Sequence, residues 1–154
     1  MRRIMGVSAH LEFLPPSGIE RAFNRAFGFL VGLGIAPAHC YVLQVKGRKS
    51  GRVYSTPVNL LQIDGKRLLV APRGRTQWVR NAEASGEITL KRGSFRKNFR
   101  LRPLGSQEKL PVLKAYLDQF RREVQRYFSV PAGSPPEAFA DVAERYPAFE
   151  LVEF

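Results

Sequence analysis

The chain is predicted to be an α+β protein: an antiparallel β-barrel of about six strands, closed or partly closed, with helices packed outside. Three observations carry this. Between Tyr41 and Arg102 five runs of β-forming residues are separated mostly by hairpin-length turns. Before and after that block the apolar residues switch to helical spacing, Ile19 to Leu33 and Leu110 to Tyr127. The 154 residues, 44% hydrophobic and 25% charged, suffice for one buried core, so residues 1–154 are read as a single domain without linker, repeat or low-complexity tract.

Residues 1–16 show no period and end at Pro15-Pro16. Ser17 and Glu20 then fit a capping box, and Ile19, Phe23, Ala26, Phe27, Leu30 and Leu33 form the apolar face of a helix ending near Gly34. Gly28 and Gly32 each cost that helix about 1 kcal/mol against Ala, so it is expected to depend on packing. Its apolar stretch is shorter than the roughly 20 residues that span a bilayer, though residues 19–34 could rest on a membrane surface. Ala36-Pro37-Ala38 resembles a secretory cleavage site, but Glu12 and Glu20 stand where a basic leader would be, so a cytoplasmic protein is expected.

The strands are predicted at Tyr41–Lys46, Val53–Ile63, Arg67–Ala71, Glu87–Lys91 and Phe95–Arg102. Pro57 inside the second cannot donate to a ladder and asks for an edge or a bulge; Asp64-Gly65 turns the second strand into the third. Pro72-Arg73-Gly74 breaks the third, and Thr76 is placed to cap a short helix over Gln77–Ala84. Arg96, Lys97, Arg100 and Arg102 cannot share one face of the fifth strand, so some of that charge is plain solvated surface. A helix over Gln107–Phe128 follows, carrying Leu110, Leu113, Leu117, Phe120, Val124 and Tyr127 as its core stripe. Ser134-Pro135-Pro136-Glu137 starts a short helix reaching about Tyr146, and Phe149 to Phe154 alternates as a last strand.

Charge localises the function. The formal net charge is +12, and the whole excess lies in Tyr41–Arg102, with fifteen Lys and Arg against Asp64, Glu83 and Glu87. Such concentration steers an anion to one face. Two basic stretches stand out. Val45–Val58 holds Lys46, Arg48, Lys49 and Arg52 around Gly47 and Gly51, whose tolerance of positive φ suits a tight reversal. Ala71–Asn81 reads A-P-R-G-R-T-Q-W-V-R-N. By themselves these are equally a solvated hairpin tip and its neighbour. A nucleic-acid partner is disfavoured, because the aromatic residues fall mostly on helical core stripes and are not interleaved with the basic strands. His39 and Cys40 are adjacent and point to opposite sides of an extended segment, so they cannot pair as base and nucleophile. No cluster has metal-ligand spacing and there is no Walker loop or G-x-G-x-x-G. The single Cys40 excludes an internal disulfide. Any reaction is therefore expected to be carried by a cofactor.

The ordered set G-R-K-S-G-R, x-x-S-T-P-V, a D-G hairpin, a strand ending in A-P-R-G, and W-V-R-N, over about residues 40–103, resembles the deazaflavin-dependent nitroreductase family. The resemblance implies a split β-barrel, coenzyme F-420 (an 8-hydroxy-5-deazaflavin), and hydride transfer to a quinone, nitroaromatic or activated alkene, with FMN as second choice of cofactor. It implies that Arg48 and Lys49 bind the coenzyme's phosphate and oligoglutamate tail, that Tyr54, Thr56, Pro57, Arg73 and Gly74 line its backbone and ring, and that Trp78 and Asn81 sit near the ring. Arg73 and Arg80 are then the candidates to stabilise the arriving charge. The chain departs from the family where many relatives have Arg in place of Tyr54 and Ser-Lys or Ser-Asn in place of Pro72-Arg73, and where the segment from Gly74 to Trp78 is short. A non-catalytic carrier of an apolar ligand in the same cleft, or a basic nucleic-acid-binding domain, are the alternatives.

Overall fold

The computed structural model describes residues 37–154; the helix expected over 19–34, its membrane contact and the irregular segment before it lie outside the described residues. Seven antiparallel strands form one sheet: β1 (Cys40–Lys46), β2 (Val53–Asn59), β3 (Leu61–Ile63), β4 (Lys66–Val70), β5 (Glu87–Arg92), β6 (Phe95–Pro103) and β7 (Ala148–Glu153). Their spatial order is β2-β1-β5-β6-β7-β4-β3. The two ends of this order, β2 and β3, are consecutive in the chain, so the sheet must curl until its edges meet.

That junction corrects the sequence reading of one long strand over Val53–Ile63. The run divides at Leu60, whose N–H makes the last link to the β1 side by donating to the His39 carbonyl at 2.8 Å, before the chain changes partner. On one side Val53–Asn59 pairs with β1 in unbroken register, Cys40 opposite Asn59 through Lys46 opposite Val53. On the other Leu61–Ile63 pairs with β4. Periodicity cannot reveal this break, because both halves are β-forming and only the choice of partner changes. Pro57 lies on the outermost strand, where its missing donor costs no ladder bond.

The barrel interior gathers Leu43 and Val45 from β1, Leu69 from β4, Ile88 and Leu90 from β5, Phe99 from β6 and Leu151 from β7, all buried. Helix α1 (Gln77–Ser85) plugs it with Ala82, and Gly86, in the left-handed conformation at φ 78°, ends the helix by donating to the Ala82 carbonyl. Helix α2 (Ser106–Val124) covers the opposite face of β4, packing Leu113, Leu117 and Phe120 against Leu68 and Val70. Strand β4 is thus buried on both faces, which is why it reads as a continuous apolar run.

The predicted helix from Ser134 to Tyr146 is replaced by two 3₁₀ turns, Pro136–Phe139 and Ala143–Arg145. Their bonds run i to i+3, as from the Ala138 amide to the Pro135 carbonyl, while Phe139, Ala143 and Tyr146 are still buried against α2. Tyr146 is extended, as a residue before proline prefers. The helix predicted to Phe128 leaves helical geometry at Phe120 (φ −111°, ψ 25°) and closes in a 3₁₀ turn over Gln125–Tyr127. On β6, Arg102 bonds Glu108 and Glu150, while Lys97 bonds Glu153, which also accepts from Arg67, so these two cations are ion-paired and not plain solvated surface. Among the described residues no helix is long and apolar enough to cross a membrane.

Candidate functional site

The turn from β1 to β2 is built around two glycines with different jobs. Gly51 adopts φ +77°, as predicted. Gly47 does not need positive φ but space: a Cβ there would lie 2.6 Å from Tyr54 Cε2, so the Tyr54 ring rests on the bare backbone. The Gly47 and Gly51 amides donate to the Arg52 and Gly47 carbonyls, and Ser50 Oγ lies 3.3 Å from the Tyr54 hydroxyl. Tyr54, where many relatives carry Arg, thus orders the turn.

Arg48 ties that turn to α1. Asn81, only 4% exposed, accepts at Oδ1 from the Arg48 amide (3.0 Å) and from Arg48 Nη1 (2.8 Å). The same Nη1 reaches Gln77 Oε1 at 3.0 Å. Gln77 and Asn81 are four residues apart and share a helix face, so one arginine clips two side chains. Arg48 is therefore partly structural, and Asn81 has spent its carbonyl oxygen before any ligand arrives.

The loop from β4 to α1 supplies the facing wall. Gly74, at φ +86°, donates to the Ala71 carbonyl and turns the chain. Thr76 stands at the helix start with extended backbone, yet its side chain makes no cap bond, contrary to the sequence expectation. Its buried Oγ1 has no hydrogen-bond partner.

Between turn, loop and α2 lies a cleft of about 1480 Å³. Arg48, Lys49, Tyr54, Thr56, Pro57, Arg73, Gly74, Trp78 and Asn81 all line it. Arg80 does not: it lies about 100° around α1 from Asn81, and its Nε donates to the Arg75 carbonyl at 3.2 Å. Arg80 is accordingly set aside as a charge stabiliser. Trp78 lines the cleft while also packing on Phe149, with ring centroids 6.2 Å apart. Every residue from Tyr54 to Asn59 borders the cleft, which simple alternation would forbid; β2 presents its free edge there.

The far end was not read from sequence. Cys40, Asn59, Tyr116, Glu123, Arg126 and Tyr127 also line the cleft. Tyr127 belongs to the apolar stripe read for the predicted helix and Tyr116 directly precedes its Leu117; both line the cleft beside the open edge of β2. Burial pushes the Tyr116 phenol well above its ordinary range. Burial, aided by Glu123 and opposed by Arg92, pushes the Cys40 thiol up to about 11, and Cys40 Sγ contacts Asn59 Oδ1 at 3.6 Å. Glu123 Oε2 lies 3.2 Å from His39 Nε2, a pairing across 84 positions that no local signal could reveal. No group of His, Cys, Asp and Glu among the described residues could hold a metal.

The sequence model of one family, described as F420H(2)-dependent quinone reductase, matches residues 19–129. No curated protein matches the chain in sequence. Among solved structures, an F420-H2 dependent reductase (FDR-A) is 18% identical with TM-score 0.51 over 74% of this chain and 94% of that one. The Atu2129 protein of Agrobacterium tumefaciens, of unknown function, is 19% identical with TM-score 0.55 over 90% and 57%. A heme binding protein from Mycobacterium smegmatis is 12% identical with TM-score 0.51 over 90% and 52%. At such identities these structures speak for the split-barrel fold alone.

Proposed function

The chain belongs to the F420H(2)-dependent quinone reductase family, oxidoreductases whose coenzyme is F420, and we propose that its cleft seats that coenzyme with the anionic tail at the β1–β2 turn and a small quinone at the end beneath α2. The observation that carries this is the one continuous cleft of about 1480 Å³. A site for a single small molecule runs to roughly 300–1,000 Å³, so this one has room for coenzyme and acceptor together.

The donor set fits the group. Lys49 and Arg48 offer fixed cations to a polyanionic tail, Thr76 Oγ1 is a buried hydroxyl lacking a partner, and the N-terminus of α1, free of acidic residues in its first turn, favours an anion. Trp78 offers an aromatic face to a flat ring. Three charge-assisted hydrogen bonds at about 1.5–3 kcal/mol each must offset an association cost of about 4–15 kcal/mol, so burial of the ring against Trp78 and the β2 edge supplies the remainder.

When bound and reduced, the coenzyme supplies a hydride to an electron-poor acceptor. Arg73, on the cleft wall, stabilises the negative charge that arrives with it. The β2 edge and the α2 aromatics orient the acceptor and exclude water.

Fluorescence titration with F420 and FMN tests the reading, since two basic stretches suit an extended polyanion better than one phosphate. F420 is expected to bind more tightly, Lys49→Ala to weaken it at least tenfold, about 1.4 kcal/mol, and menadione to oxidise the bound reduced coenzyme. Equal or tighter FMN binding would overturn the coenzyme assignment; tight F420 binding with no quinone, nitro or enone acceptor reduced would leave a carrier.

A further inference from the structure

Among the described residues, Glu123 is the single acid on a cleft wall whose other charged residues, Arg48, Lys49, Arg73, Arg122 and Arg126, are all cations. It stands at the α2 end beside Arg122 and Arg126, away from the β1–β2 turn where the tail is placed above. His39 holds it: Nε2 lies 3.2 Å from Glu123 Oε2, and the imidazole packs at 4.7 Å on Phe120, one turn before Glu123 on α2. Both side chains reach water, with 28% and 47% of their surface exposed.

Hydride arrival leaves a quinone as an anion that still requires one proton. We propose that Glu123, positioned by His39, delivers that proton, an inference that rests on the reductase reading above. The proton on His39 Nε2 passes through the Glu123 carboxyl to the anionic oxygen of the reduced quinone, forming its O–H bond. The pair regains its proton from solvent. The quinone has then gained two electrons and one proton from the coenzyme and one proton from the pair, which completes the quinol.

The groups facing this pair are Tyr116, Arg122 and Arg126 of α2 and the turn after it, Tyr127 beside them, Cys40 of β1, and Arg92 of β5, whose Nη1 donates to the Cys40 carbonyl at 2.8 Å. The arginines keep their protons. Cys40 and Tyr116 both hold theirs more tightly than usual because they are buried. The Glu123–His39 pair, in contrast, is open to solvent and joins two elements at the cleft wall. A positioned general acid is worth about 10²–10⁴-fold, so it outcompetes water at the same place.

The test is stopped-flow oxidation of the reduced-coenzyme holoenzyme by menadione. Glu123→Gln should lower turnover at least tenfold with coenzyme Kd and menadione KM within twofold of the unmodified protein. Added formate should restore part of the rate of Glu123→Ala, and His39→Gln should slow turnover less than Glu123→Gln. Turnover of Glu123→Gln within twofold of the unmodified enzyme, or a slow Glu123→Ala that formate leaves unchanged, would overturn the proposal. Failure of the unmodified holoenzyme to reduce menadione would instead overturn the reductase reading beneath it.

Discussion

Replacing Asn81 tests whether the basic β1–β2 turn is held from the helix or stands by itself. Asn81→Ala removes one Oδ1 and with it two hydrogen bonds, from the Arg48 amide and from its guanidinium. The first is worth about 0.5–1.5 kcal/mol and the second, charge-assisted, about 1.5–3 kcal/mol. The upper sum is not reached, because Arg48 Nη1 keeps Gln77 Oε1 and water can serve the exposed turn. A loss of about 2 kcal/mol is expected, which in a chain of 154 residues lowers the melting temperature by about 4–8 °C. F420 affinity should fall with it, since Arg48 and Lys49 lose their fixed geometry. Asn81→Asp separates the two effects: it keeps an acceptor for Arg48 and should recover at least half of the lost stability, yet it sets a negative charge in the cleft and should still weaken F420. Melting curves and fluorescence titrations on both variants decide. An Asn81→Ala protein that melts like the unmodified chain, or an Asp variant as unstable as the Ala variant, would refute the latch.

Two further perturbations address neighbouring features. Gly47→Ala forces the Tyr54 ring aside and should cost about 1–2 kcal/mol, a penalty that shrinks in the Tyr54→Ala background because the clashing atom is gone; equal penalties in both backgrounds would show that the ring is not what needs the space. Cys40, with its thiol raised from 9.0 to about 11, should react with thiol reagents at pH 8 only as fast as the protein unfolds. The sign for stability follows: the unfolded thiol ionises first, so this contribution is intact below pH 9 and is lost as pH rises toward 11. Urea titrations of the native chain and Cys40→Ala over that range should diverge, the native chain losing more; parallel curves would show that Cys40 is not the titrating group.

The strands, their hairpins and the basic turn were legible because each is specified by neighbours in sequence. Alternating β-formers, Asp64-Gly65, and cations around Gly47 and Gly51 each act over fewer than ten residues, and it was the order of such short motifs along residues 40–103 that picked out nine residues of one cleft. What sequence left open was decided by contacts between distant segments. The break at Leu60 exists because one strand serves both edges of a curled sheet, and the 3₁₀ turns after Pro135 follow the surface of α2. Arg48 was read as a ligand contact, yet its strongest partners are on a helix 33 positions away. The α2 end of the cleft was invisible for the same reason: Tyr116 and Glu123 are ordinary residues of an amphipathic helix until packing brings them to the open edge of β2 and to His39. Local chemistry determined where the cations gather; only the closing of the barrel decided what faces them.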